Sequence, residues 1–134
     1  MEKELLLAQL KEDYPIDDDI TFSDFNIEDK LQDQLKSEMK YWDLYQGELF
    51  QLSNIEDEMV DMKFIVYDYF KFEHDRALTK TEIESFYLPA HKDIKAIQKR
   101  IDLQQIKVDY FKICYNAVKQ LRWNIHSYLK NKET

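Results

Sequence analysis

Gly47 is the chain's single glycine, and Pro15 and Pro89 are its two prolines, in 134 residues. Hairpins and tight turns draw on glycine, Asn-Gly or Pro-Gly pairs at each reversal. A chain so poor in these residues changes direction few times, so its elements are few and long. Strands rarely exceed about ten residues, which leaves helices to fill such lengths. The expected fold is all-α: two long amphipathic helices and two short ones, forming a helical hairpin that oligomerises. No stretch between Met1 and Thr134 has the composition of a Pro/Gly/Ser linker, and the length suits a single domain over 1–134.

Apolar residues make up 44% of the chain and charged residues 34%, and mean hydropathy is -0.65. These proportions confine the apolar groups to stripes. A short helix over 2–13 carries Leu5, Leu6, Leu7 and Leu10, and it ends before Pro15 because the residue preceding a proline is pushed out of the α region. Asp17, Asp18 and Asp19 lack the alternating oxygen ligands and glycine turn of a calcium loop and read as a solvated loop. From about 26 to 72, Leu31, Leu35, Met39, Trp42, Tyr45, Leu49, Leu52, Ile55, Met59, Met62, Val66 and Tyr69 recur at spacings of three and four, a single helical stripe. Gly47 inside it suggests a bend or a close backbone approach. Thr81 followed by Glu84 fits a capping box opening a short helix over 81–87, and Pro89 precedes a last helix over 91–129.

That last helix has the sharpest pattern. Ile94, Ile97, Ile101, Gln104, Val108, Phe111, Tyr115, Val118, Arg122, Ile125 and Leu129 alternate by three and four through five heptads. A second stripe of Leu103, Ile106, Tyr110, Ile113, Ala117 and Leu121 widens the apolar arc beyond what one neighbour covers. Subunit contacts are therefore expected at Ile97, Ile101, Val108, Phe111, Tyr115, Val118, Ile125 and Leu129.

No apolar run approaches the roughly 18 residues of a membrane span, and the acidic N-terminus lacks the pattern of a signal peptide, so a cytoplasmic protein is expected. The lone Cys114 lies in an apolar stretch and reads as a buried, inert thiol. None of His74, His91 and His126 follows a glutamate by three positions, which removes the di-metal helical-bundle pattern. There is no His-Glu-x-x-His, no glycine-rich phosphate loop and no nucleophile elbow. The expectation is a binding protein, not an enzyme, with no cofactor and no metal.

Charge is distributed unevenly. Residues 1–90 hold 9 Lys/Arg against 23 Asp/Glu, a balance of -14; residues 91–134 hold 10 against 4, a balance of +6; the chain's net charge is -8. The C-terminal helix is thus a basic element on an acidic protein, suited to phosphates or to another subunit's acidic face. Lys92, Lys95, Lys99 and Arg100 align at its start. Trp42, Tyr69, Phe111 and Tyr115 read as core or interface aromatics, whereas Tyr67, Phe70 and Phe72 lie outside the main stripe and are freer to bind.

Several short stretches, taken in order, resemble the UvsY family, the recombination mediators of tailed bacteriophages. They are Leu10-Lys11-Glu12-Asp13 leading to Ile16-Asp17, then Asp68-Tyr69-Phe70, then Lys92-Asp93. Val108-Asp109-Tyr110-Phe111, Asn116-Ala117-Val118-Lys119 and Trp123-Asn124-Ile125 complete the set. The resemblance implies a helical protein that forms rings of six or seven subunits in the host cytoplasm and binds single-stranded DNA. It also implies help in loading a phage recombinase onto DNA by displacing single-strand-binding protein.

Where the family carries a basic stretch before the Asp-Tyr-aromatic triplet, this chain reads Phe64-Ile65-Val66-Tyr67, and Lys63 alone keeps a charge. Candidate phosphate contacts are therefore Lys63, Lys71 and Arg76, or Lys92, Lys95, Lys99 and Arg100, repeated around a ring. The alternative is a structural oligomerisation or adaptor protein of a virion or scaffold, without DNA affinity.

Overall fold

A computed structural model describes residues 1–133, and every regular element in it is helical. They are α1 (Glu2–Asp13), α2 (Ile16–Ile20), α3 (Ile27–Asp68), α4 (Lys80–Glu82), α5 (Leu88–Ala90) and α6 (Lys92–Glu133). Two π-helical turns, Tyr69–Glu73 and Ile83–Tyr87, follow α3 and α4. The all-α expectation and the two long helices hold, each at 42 residues. The described chain groups into two compact units, one of Phe50–Gln105 and one of Met1–Leu49 with the chain from Ile106 onward.

In the second of these, a core of Leu10, Tyr41, Tyr110, Phe111, Cys114 and Val118 joins α1, α3 and α6. Trp42 meets Tyr115 at 5.1 Å between ring centroids, and Asp24 meets Lys132, so the α3 and α6 segments run antiparallel here. α1 turns Leu6, Leu7 and Leu10 toward this core, and Tyr14 packs edge-on against Phe111 at 5.0 Å. Asp17, Asp18 and Asp19 form a helical turn instead of the expected loop, placed where carboxylates favour the N-terminal end of a helix dipole. The first part of the α3 stripe is also corrected. Leu31, Leu35, Met39 and Trp42 are exposed, while Gln34 and Tyr41, one position off that stripe, are buried. Helix periodicity alone does not decide which of two overlapping faces a tertiary partner will cover. The helix continues through Gly47, where an added Cβ would meet nothing within 4 Å, so no close approach explains that glycine.

In the Phe50–Gln105 unit the α3 stripe turns inward. Met59 and Val66 pack with Leu78, Ile83, Leu88, Ile94 and Ile97. The capping box that opens α4 is Thr79 with Glu82, not Thr81 with Glu84. Thr79 Oγ1 accepts from the Glu82 amide at 3.1 Å, and Glu82 Oε1 accepts from the Thr79 amide at 3.3 Å. Both pairs satisfy the motif in sequence, but only the earlier one puts apolar residues, Leu78 and Ile83, at the two staple positions around the cap, and both are buried in the core. The first residue of α6 is Lys92, and His91 Nδ1 accepts from the Asp93 amide at 3.1 Å.

The heptad positions of α6 are mostly spent inside the chain. Ile97, Val108, Phe111, Val118 and Ile125 are buried, and Ile101 and Tyr115 are half-buried. The subunit interface expected on those residues is thus occupied by the chain's own helices, and only Leu129 of that set counts as exposed. A wide apolar arc finds its several neighbours by intramolecular folding when α1 and α3 reach it. Ile113, on the second stripe, stays exposed.

Candidate nucleic-acid interface

Between α3, α5 and the start of α6, the Phe50–Gln105 unit carries a groove of about 720 Å³. Val60, Lys63, Phe64 and Tyr67 fall on one face of α3 by their three- and four-residue spacing. Leu88 and Pro89 of α5 and Ile94, Lys95 and Gln98 of α6 complete the lining with Glu84. Buried Leu88 and Ile94 form part of the floor, and Phe64 stands 71% exposed over it. Lys63 and Lys95 bring two cations to the same groove, and neither takes part in an ion pair among the described residues. An exposed aromatic face with ammonium groups beside it has the chemistry to stack an unpaired base and hold its phosphates.

The loop beyond the groove is tied down by aromatics. Phe70 meets Tyr87 at 4.9 Å, His74 at 5.7 Å and His91 at 6.2 Å between centroids. Arg76 Nη2 donates to Glu82 Oε2 at 3.1 Å and to the Tyr87 hydroxyl at 3.3 Å. Tyr67 lines the groove, Phe70 is taken up by the aromatic cluster, and Phe72 remains exposed.

Of the seven expected phosphate-binding residues, the structure brings two, Lys63 and Lys95, to one groove. Lys71 lies exposed on the π turn Tyr69–Glu73, and Lys92 and Lys99 are exposed on α6. Arg76 is engaged by Glu82, and Arg100 is bound to Glu58 at 2.5 Å, so both spend charge on neighbouring carboxylates. One basic face went unread at the sequence level. Lys112, Asn116, Lys119, Trp123 and Lys130 are all exposed on α6, and Trp123 is 61% exposed. Their spacings of four, three, four and seven, free of carboxylates, were the available signal.

Cys114 is fully buried, and burial pushes its thiol up to about 11. It is therefore no nucleophile near neutral pH. No group of acidic, histidine or cysteine side chains able to hold a metal occurs among the described residues, and none of their helices is long and apolar enough to cross a membrane. No protein-family model, no curated protein and no solved structure matches the chain.

Proposed function

We propose that the chain is a non-catalytic recombination mediator. It binds single-stranded DNA, assembles as a homo-oligomer, and helps load a RecA-like phage recombinase onto DNA coated by single-strand-binding protein in the infected cell's cytoplasm. The observation that carries this reading is exposed Phe64 lining one groove together with Lys63 and Lys95. The segment the UvsY resemblance associates with DNA has lost basic residues but kept a flanking cation and gained a stacking face. Repetition in an oligomer multiplies weak phosphate contacts into useful affinity.

Fluorescent oligonucleotide titration at two salt concentrations tests it. Phe64→Ala should weaken binding by about 1–3 kcal/mol per stacked base. Lys63→Ala with Lys95→Ala should flatten the salt dependence, since the slope on single strands is about -0.7 per neutralised phosphate. Absence of binding by the unaltered chain at low salt would sink the DNA reading.

The second reading is a structural oligomerisation or adaptor protein. It is favoured by the capture of Arg76 and Arg100 by carboxylates and by the net acidity. It predicts assembly without DNA affinity, and the same titration separates the two.

A further inference from the structure

Two exposed faces of the unit formed by Met1–Leu49 and the chain from Ile106 onward are complementary in both charge and polarity. The first, on α3, is the outward stripe of Leu31, Leu35, Met39 and Trp42. A hollow of about 230 Å³ opens on it, and its lining includes Glu38 and Asp43 but no cation. Leu35 is 63% exposed and Met39 58%. The second, on the outer side of α6, pairs exposed Trp123 and Ile113 with Lys112 and Lys119. Neither lysine has a salt bridge among the described residues; the Lys119 ammonium stands 6.0 Å over the Tyr115 ring at the margin between the two faces, and Lys112 lies wholly on the outer side.

We propose that the acidic, apolar α3 face of one copy receives the basic, Trp123-bearing α6 face of a second copy. This rests on the homo-oligomeric part of the proposed function and replaces the buried heptad positions as its interface. Four large apolar side chains left in water along one helix form a patch of the kind that marks an interaction site. Tryptophan is enriched among the anchors that dominate such contacts. The charge pattern selects the occupant: two carboxylates beside one apolar face oppose two ammonium groups beside the other, so opposite faces attract while identical faces repel. Because the two faces are different patches, the contact is head-to-tail and propagates from copy to copy, closing into a ring where the rotation permits.

The test uses the full chain in light scattering coupled to gel filtration, with Leu35→Glu and Trp123→Glu as the variants. Both positions are exposed, and unchanged helical circular dichroism confirms that each variant folds. The unaltered chain is expected to elute as a multimer, and each variant as a monomer. An equimolar mixture of the two variants retains one intact α6 face and one intact α3 face and is expected to elute as a dimer that grows no further.

A monomeric unaltered chain overturns both this interface and the assembly it serves. A multimer that either variant leaves intact overturns the interface alone. Oligonucleotide binding lost in Trp123→Glu with assembly retained would also overturn it, by assigning the α6 face to nucleic acid.

Discussion

Tyr41, with no solvent exposure, donates its hydroxyl hydrogen to the carboxylate of Asp19. Burial first, and the acceptor carboxylate second, raise the phenol well above its usual range and keep it neutral. α2 is thereby fastened to α3 by a hydrogen bond to a charged group, the stronger class of such bonds. Tyr41→Phe keeps the ring and removes the bond, so it should cost about 1.5–3 kcal/mol in urea unfolding. A cost near zero would mean that Asp19 finds water as readily as it finds Tyr41.

The position of the cap at α4 gives a paired test. Thr79→Ala removes the side chain that accepts from the Glu82 amide and should cost about 1 kcal/mol. Thr81→Ala, at the exposed position that the competing motif would have used, should change stability by less than about 0.5 kcal/mol. Equal costs would contradict the assigned cap.

Near the end of α6, Asp24 accepts from Lys132 and from the Tyr128 hydroxyl, and these bonds hold its carboxyl below the ordinary value of 3.8. A carboxylate with a depressed folded value contributes stability above its unfolded value and loses it as pH falls through the folded one. Asp24→Asn should therefore speed amide hydrogen exchange in the last turns of α6 at pH 6. The difference from the unaltered chain should shrink as pH drops below about 3.8. A difference that persists at pH 2 would mean the carboxylate's charge is not what restrains the helix.

Cys114 should resist alkylation in the native chain at pH 8 and react promptly in denaturant, since its thiol is both enclosed and raised to about 11. Mass spectrometry of the iodoacetamide-treated protein reads this directly. Rapid native labelling would show that the α1–α3–α6 core opens on the timescale of the reaction.

The long helices were readable because proline is absent from 27–68 and 92–133 and because most of the α6 heptad positions are interior. The identity of the covering partner was not readable. Ile97 and Phe111 look the same in sequence whether a neighbouring subunit buries them or the chain's own elements do, Met59, Val66 and Ile83 for Ile97 and Leu10 and Tyr41 for Phe111. The face of α3 around Trp42 was misassigned because Tyr41 competes for the core at the adjacent position, and only α2, α1 and α6 decide between them. Among the basic residues, spacing pointed to Lys95 and the family resemblance to Lys63, but neither had any means of seeing that Glu58 of α3 neutralises Arg100 and Glu82 of α4 neutralises Arg76. The π turns left no sequence mark that spacing could detect.

The Phe50–Gln105 unit is built from one continuous piece of chain, whereas the other joins Tyr14 to Tyr110 and Asp24 to Tyr128 across separations of 96 and 104 residues. Loop closure over such distances comes late in folding. Contacts of that span carry a loop-closure cost that the continuous unit does not meet. Until that closure is made, Leu6, Leu7 and Leu10 lack their α6 partners Tyr110, Phe111 and Cys114, and the apolar side of α1 stays open to water or to another chain.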